Sequence, residues 1–406
     1  MKYPIQNILA LFLVIPTYVT FFIGKEPLMQ GLAFSLYFVP LIVTLIKNKT
    51  LHLPRLFLFI WGVFLIAWIF PSIINSQSGR LESELISLPV LFFHAMMLTI
   101  VILILYDYLS RVADRKLGNL LQLIFWVMLP MMLLMSMKIG YLSFYHPNHF
   151  QLGFRPFPFG IHPNVAAEII LVFLLTATQL TNRFWQWTVY VISITFLYIL
   201  SSRGALIASF LGLFIIYGLP WLKAQLSIKR LVVTTAILGF ALMLYHQEIF
   251  SLIKSVLILD TRTHDIAGRG GMWLLGLESI QAKPWLGTGF FVTPHGFSTP
   301  EFSNGSLPID HPSLIIHNAF IRIFSENGII LFLMAMAFLV LTGLSLLREK
   351  NYQLLGIFCA ILFFLFFSTR HLTLNLMNII LYFIVIRSLL YQRQSITGWK
   401  LFAVFK

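Results

Sequence analysis

Long apolar runs separated by short polar connections dominate the chain. Windows of about 20 mostly apolar residues, the length that crosses the hydrocarbon core of a bilayer, recur about twelve times. They lie near 5–23, 28–46, 56–74, 85–106, 118–137, 162–181, 185–200, 203–221, 231–250, 317–347, 352–369 and 371–391. The pattern therefore predicts an all-α polytopic membrane protein with about twelve transmembrane helices.

Two connections are too long and too polar to be simple turns. The first, 138–161, carries an aromatic, proline-rich run from Phe154 to Gly160, which predicts a loop or re-entrant segment. The second, 251–316, contains a short apolar stretch, 270–282, which predicts an interfacial helix that ends at Pro284. The rest of this connection is rich in Gly, Pro, Ser and Thr, which indicates a loop able to close over a ligand.

The chain divides into four parts on this pattern. Residues 1–250 hold transmembrane helices 1 to 9, 251–316 the large loop with its interfacial helix, 317–391 transmembrane helices 10 to 12, and 392–406 a tail. The first window is about long enough to span a membrane and lacks the small-residue pattern of a cleavage site. We therefore expect it to be retained as the first helix.

Composition supports this class and limits the chemistry. Of 406 residues, 59% are hydrophobic and 10% charged, against roughly 25% charged residues in soluble domains. The single cysteine, Cys359, lies inside an apolar window, so neither a disulfide framework nor a thiolate metal site is available. A formal net charge of +14 could suggest nucleic acid, but basic residues of membrane proteins report orientation and anionic headgroups first.

The placement of the basic residues predicts the orientation. With the amino terminus inside, most of the 28 lysines and arginines fall on cytoplasmic connections, including the clusters at 47–55, 111–116 and 223–230. We therefore expect both termini in the cytoplasm, the connection 251–316 on the outer side, and no nucleic-acid partner. Six arginines oppose the trend and gather at the outer face, which predicts an anionic ligand there: Arg155, Arg203, Arg262, Arg269, Arg322 and Arg370.

Two of these arginines stand at predicted helix starts. Arg203 begins a membrane helix, and Arg269, between glycines, begins the interfacial helix. Arginine is always charged and offers a planar fork of donors that suits phosphate, while the free N–H groups of a helix start also favour an anion. We predict that Arg203 and Arg269 bind a diphosphate. The alternative is that each side chain only reaches the outer headgroups.

The remaining outer arginines have weaker signals. Arg155 and Arg370 are second candidates for the diphosphate, with the same alternative of reaching the headgroups. Arg322 differs because Glu326 follows it by four residues, one helical turn along the same face. That spacing predicts a structural ion pair.

Histidines of the loop and its end are the candidate proton acceptors. His317 begins the tenth window directly before Asn318, and an imidazole can act as a general base near neutral pH. A capping or packing role is the alternative. His295, His311 and Asp310 invite a metal hypothesis, but their spacing matches no compact ligand set, so we expect no metal site.

A transporter is the main alternative to an enzyme, because broken helices and intramembrane charges also mark transport paths. The ionisable residues, however, gather on the outer side rather than at mid-bilayer. No Gly-x-Ser-x-Gly motif is present, which disfavours a serine hydrolase. The distribution favours an enzyme that acts on an outer-leaflet substrate.

Several short motifs occur in a fixed order between Arg155 and Gly328. They are Arg155 before Gly160 and His162-Pro163-Asn164, then Ser202-Arg203-Gly204-Ala205, Arg269 with Trp273, Pro284 before Gly287-x-Gly289, His317-Asn318, and Glu326-Asn327-Gly328. In this order the segment resembles the O-antigen ligase and O-antigen polymerase superfamily of bacterial inner-membrane glycosyltransferases. The first 150 residues are similar only in being helical.

The resemblance implies a GT-C-like helical fold and a reaction on the periplasmic side of a Gram-negative inner membrane. The donor would be a glycan on undecaprenyl diphosphate. The acceptor is a sugar of the lipid A core in the ligases, a growing O-antigen repeat in the polymerases, and a protein serine in related oligosaccharyltransferases. One large outer loop without an appended soluble domain is most similar to the ligases.

The resemblance also implies roles for the candidate residues. His317 would take the proton from the acceptor hydroxyl, and Arg203 and Arg269 would stabilise the departing diphosphate, with Arg155 and Arg370 as second candidates. A direct single displacement implies inversion at the anomeric carbon. Because a diphosphate leaves readily and arginines can do the work of a metal ion, we expect a reaction independent of metals and cofactors.

Overall fold

The computed structural model describes the chain over a set of separate ranges. The described ranges are 38–48, 53–77, 88–111, 117–145, 163–200, 202–225, 279–289, 318–368 and 375–396, with the single residues Phe12, Val14, Ile15, Leu36, Trp273, Gly276 and Leu277. These ranges are helical and contain no strand. The predicted all-α class is confirmed.

The α-helices of the described ranges follow the predicted apolar windows, except that the helix predicted at 118–137 continues to Tyr145, into the connection predicted at 138–161. In chain order they are α1 Phe38–Asn48, α2 Arg55–Gln77, α3 Leu88–Arg111, α4 Leu117–Tyr145, α5 Pro163–Ala177, α6 Arg183–Ile199, α7 Arg203–Leu213, α8 Leu219–Gln225, α9 Ala319–Arg348, α10 Tyr352–Phe366 and α11 Leu376–Ile396. A π-helical turn, Phe214–Gly218, joins α7 to α8. The windows 231–250 and most of 5–23 lie outside the described residues, so the total of twelve spans stays a prediction.

Five of the described helical stretches are long and apolar enough to cross a membrane. They are Arg55–Ile74, Leu91–Ser110, Gly118–Met137, Arg203–Leu222 and Ala319–Arg348. Large apolar side chains on their outer faces, such as Phe59, Met137 and Leu333, are more than half exposed. Lipid solvates such faces, whereas water would not. The protein is therefore a helical membrane protein.

Small residues let α7 and α10 cross at close range. A Cβ atom at Gly356 would lie 2.4 Å from Ile216 Cγ1 and 2.6 Å from the carbonyl oxygen of Gly212. A Cβ atom at Gly212 would lie 3.0 Å from Ala360 Cβ. In lipid, helices gain little from apolar burial and associate through such close backbone contact. This crossing holds α7 in the bundle.

Gly356→Ala is expected to destabilise the protein by about 1–3 kcal/mol, because the added methyl group would meet the backbone of α7. Gly343→Ala in α9 is the matched control, since its Cβ atom would meet Phe358 at an ordinary 3.6 Å. In a helix interior that control should be neutral or stabilising, by up to about 1 kcal/mol. Thermal unfolding in detergent measures both variants, and equal midpoints would contradict the close crossing.

Polar contacts join helix ends at one end of the bundle. The carbonyl oxygen of Thr178, after α5, accepts from Gln186 Nε2 of α6 at 3.0 Å and from Gln353 Nε2 of α10 at 2.7 Å. Nearby, the Glu349 carboxylate at the end of α9 pairs with Arg387 of α11. The sequence predicts all of these helix ends on one side, the cytoplasm. The starts of α7 and α9 and the end of α10 belong to the opposite end.

Candidate active site

Three of the predicted site segments pack together through aromatic side chains. They meet at the end of the bundle where α7 and α9 start and α10 ends. The ring centroid of Phe366, at the end of α10, lies 5.7 Å from that of Trp273 and 6.5 Å from that of Phe320 in α9. Phe367 Cβ lies 3.2 Å from the position of a Cβ atom at Gly204, in the first turn of α7. We name Trp273, Phe320, Phe366 and Phe367 the aromatic junction. It brings together the start of α7, the interfacial helix and the start of α9.

Arg203 is the first residue of α7, as the sequence predicts. It is half-buried, and the helix starts with the Leu206 N–H donating to the carbonyl oxygen of Ser202 at 3.0 Å. The Ser202 side chain makes no capping hydrogen bond. The N–H groups of the first turn and the Arg203 guanidinium thus belong to one helix end, an arrangement suited to an anion.

Asn318 fixes the start of α9. Its Oδ1 accepts from the N–H groups of Phe320 at 3.0 Å and Ile321 at 3.1 Å, and the residue is 1% exposed. Asparagine is among the preferred residues for this capping position. The cap of α9 is therefore Asn318 and not His317, the residue before it. His317 itself lies outside the described residues, so its predicted role is not tested.

The helix α9 is broken at Gly328. Its φ of 75° and ψ of −179° fall in a region that only glycine adopts readily. In a continuous helix the Ile329 N–H would donate to Ser325, four residues earlier. Here it donates to the carbonyl oxygen of Pro284 at 2.9 Å instead. The break divides α9 into a short outer segment and a longer apolar segment.

The turn after the interfacial helix fills this break. The Thr288 N–H donates to the carbonyl oxygen of Ser325, and the Gly289 N–H to that of Glu326, both at 2.8 Å. These are the helix carbonyls that the break leaves without their usual donors. The loop thus completes the hydrogen bonding of α9, as irregular backbone near lipid requires.

Two glycines make the approach possible. A Cβ atom at Gly287, where φ is +69°, would lie 2.4 Å from the carbonyl carbon of Glu326. A Cβ atom at Gly328 would lie 2.1 Å from the carbonyl oxygen of Trp285. Any other residue at either position would collide with backbone. We name Gly287, Gly328 and the three hydrogen bonds between 284–289 and α9 the glycine clasp.

The interfacial helix itself is described only in part. Trp273, Gly276, Leu277 and 279–282 are helical, and the helix ends before Pro284, as predicted. Leu277 and Trp285 are 46% and 69% exposed. Exposed Trp and Leu next to a membrane helix suit the headgroup region, where amphipathic rings collect. An interfacial location remains our interpretation.

The outer segment of α9 carries the predicted ion pair. Arg322 Nε lies 2.7 Å from Glu326 Oε1, and the two side chains are 4% and 1% exposed. The prediction from their spacing is confirmed. A guanidinium engaged with a buried carboxylate is a weak candidate for substrate phosphate. Arg322 therefore belongs to the support of the site.

The other predicted site residues lie outside the described residues: Arg155, Arg269, His317 and Arg370. Their roles stay predictions. The structure does place near neighbours of three of them at one end of the bundle. Trp273 follows Arg269 by four residues, Asn318 follows His317, and Ser368 precedes Arg370 by two.

A buried carboxylate on the predicted outer side escaped the sequence analysis. Glu168, in α5, is 5% exposed, and α5 packs against α7, the helix that Arg203 begins. It lies five residues after the start of α5 at Pro163, on the predicted outer half of that helix. A lone carboxylate within an apolar window is the signal that could have identified it, because such groups are costly in a membrane and often functional.

No cluster of three or more His, Cys, Asp or Glu able to hold a metal ion occurs within the described ranges. His295, Asp310 and His311 lie outside those ranges. The expected independence from metals therefore stays a prediction.

Comparison with known proteins gives one family. Residues 188–336 match the family model described as O-antigen ligase. This segment runs from within α6 to within α9 and contains Arg203, the glycine clasp and the predicted His317. A search of curated proteins finds no match to the chain. The match confirms the resemblance seen in the motifs for residues 188–336, which are similar to the O-antigen ligase family, while the motifs at 155–164 lie before the matched residues.

Proposed function

We propose that the protein is an O-antigen ligase of lipopolysaccharide biosynthesis. It transfers a glycan from undecaprenyl diphosphate to a sugar hydroxyl of the lipid A core, on the periplasmic face of the inner membrane. The observation that carries the proposal is the aromatic junction. Through Phe366 and Phe367 it joins the helix start at Arg203, the helix that follows Arg269 and the cap that follows His317. These three joined segments lie within the residues that match the family model.

The membrane setting suits a lipid-linked donor. The polyprenyl chain remains in the bilayer beside the apolar spans, while the diphosphate reaches the headgroup level. There the first turn of α7 offers its N–H groups and Arg203. Arg269 leads into the helix whose Trp273 packs on the same junction. Arg155 and Arg370 are further candidates for the same anion.

The proposed reaction is a single displacement. His317 takes the proton of the acceptor hydroxyl while its oxygen bonds to the anomeric carbon of the donor sugar. The bond from that carbon to the diphosphate oxygen breaks, and the diphosphate leaves with the electron pair. Arg203 and Arg269 stabilise the charge that develops on it. The configuration at the anomeric carbon is inverted, and neither metal nor cofactor takes part.

Lipopolysaccharide profiling by gel tests the function. In a Gram-negative strain that lacks its own ligase, the wild-type chain is expected to produce a ladder on the lipid A core, and His317→Ala is not. Loss of a general base typically costs about 10²–10⁴ in rate. His295→Ala, another loop histidine, is the matched control and should keep the ladder. Immunoblots of the membranes confirm equal protein levels.

Each other outcome points to a different activity. Loss of long chains with one repeat still on the core indicates a polymerase, and glycan on protein serine indicates a protein O-oligosaccharyltransferase. Movement of a lipid or ion with no new bond indicates a transporter. A ladder with His317→Ala at the wild-type level would contradict the role of that histidine.

A further inference from the structure

We propose that the glycine clasp positions the catalytic groups for glycan transfer, with Gly287 and Gly328 as positioning residues. This inference rests on the function proposed above, because it concerns the same reaction. The clasp fixes the register between the interfacial helix and the outer segment of α9. Each of these segments leads directly to a predicted catalytic residue, Arg269 or His317.

The clasp is made of backbone on both sides. Its three hydrogen bonds, at 2.8 to 2.9 Å, join 284–289 to Ser325, Glu326 and Ile329. They replace bonds that an unbroken helix would make within itself. Backbone groups supply all three of these bonds, and the Thr288 hydroxyl donates a further one to the carbonyl oxygen of Ser325 at 3.2 Å. At the two glycine positions a Cβ atom would meet the facing backbone at 2.4 and 2.1 Å, so a side chain there disturbs the contact directly.

The two segments are joined at both of their ends. From the clasp, one segment runs back to Trp273, and the other runs back through α9 to Phe320. Both residues pack against Phe366 at the aromatic junction. The outer segment of α9, nine residues from 319 to 327, spans about 14 Å at 1.5 Å per residue. The clasp and the junction therefore close a ring that resists sliding of one segment along the other.

The ring holds together two segments that are far apart in sequence. In the proposed reaction, Arg269 acts on the leaving diphosphate and His317 on the acceptor hydroxyl, and each residue precedes one of the two joined segments in the sequence. A misplacement of about 1 Å far from the chemistry can lower a rate by about 10². A methyl group at Gly328 would force a shift of at least that size, because ordinary carbon contacts lie beyond about 3.4 Å.

The test compares Gly328→Ala and Gly287→Ala with Gly343→Ala, which makes the same change in the same helix where space is available. Purified proteins are assayed for initial rates of transfer, alone and combined with His317→Ala. We expect each clasp variant to lower kcat by about 10–10² with a much smaller change in the donor KM. Gly343→Ala should keep the wild-type kcat.

The combination with His317→Ala separates positioning from folding. If the clasp places the base, removing His317 costs far less in Gly328→Ala than in the wild type, because residues acting as a unit are not additive. If Gly328→Ala only lowers the folded fraction, His317→Ala costs the same factor in both backgrounds. That second result would overturn the proposal.

Amide hydrogen exchange tests the clasp without any transfer reaction. The amides of Thr288, Gly289 and Ile329 should exchange slowly in the wild type and in Gly343→Ala, and quickly in Gly328→Ala. Rapid exchange of these amides in the wild type would overturn the clasp. If these amides exchange slowly in the wild type but the wild type transfers no glycan, the proposed function is refuted and the clasp is still supported.

Discussion

Replacing Arg203 with alanine is expected to slow glycan transfer by about 10²–10³, the usual cost of losing one preorganised charge-stabilising donor. Arg203 begins α7 at the aromatic junction, where the first-turn N–H groups also favour an anion. The helix start should survive the change, because the contact of Gly204 with Phe367 does not use the Arg203 side chain. Initial rates in membranes, normalised to protein level, measure the effect.

The lysine variant distinguishes contact with phosphate from a general need for charge. Arg203→Lys keeps the positive charge but loses the planar fork of donors, so we expect a rate between those of wild type and Arg203→Ala. Arg183→Ala is the matched control, since Arg183 also begins a helix but is exposed at the opposite end of the bundle. Full activity of Arg203→Ala would favour the headgroup alternative, and degradation of the variant would indicate a structural role.

The parts of the structure that the sequence predicts are those that local patterns encode. Apolar windows located the helices because each span must satisfy its own backbone in lipid. The spacing of Arg322 and Glu326 predicted their pairing because residues four apart share a helix face. The end of the interfacial helix at Pro284 follows from the restrictions that proline imposes on its own and the preceding residue.

The break in α9 could not be predicted in this way. The window 317–347 continues without interruption through Gly328, and a glycine inside a helix is compatible with a regular backbone. The positive φ at Gly328 is stabilised by hydrogen bonds from a turn some forty residues earlier, around Gly287. Such a pairing depends on the fold of the whole domain. The motif Glu326-Asn327-Gly328 is visible in the sequence, but the break of the helix at Gly328 is not.

The aromatic junction could not be predicted either, because it also depends on the fold of the whole domain. Trp273, Phe320 and Phe366 belong to three separate segments, and phenylalanine is so frequent in this chain, at 40 residues, that no single position stands out. Lipid-facing and packing phenylalanines have the same local pattern. Only the packing of α10 between α7 and α9 shows which rings join the predicted site.

Glu326→Gln is expected to destabilise the protein by about 3–5 kcal/mol, because it leaves Arg322 charged and buried without its carboxylate. The loss is large beside a typical total stability of about 5–15 kcal/mol. Glutamine keeps the volume of the side chain, and the carbonyl oxygen of residue 326 remains available to Gly289, so the clasp is not directly disturbed. The unfolding midpoint of the purified protein in detergent measures the change.

The double variant Arg322→Met/Glu326→Gln tests whether the cost comes from the uncompensated charge. Replacing a buried pair by groups that carry no charge is often nearly neutral, so the second substitution should restore much of the midpoint. A midpoint that falls further would show that the Arg322 side chain stabilises the segment through contacts other than this pair.

If the double variant is stable but its donor KM rises strongly, Arg322 also binds the diphosphate. A stable double variant with the wild-type donor KM would leave Arg203, not Arg322, as the donor-binding arginine among the described residues.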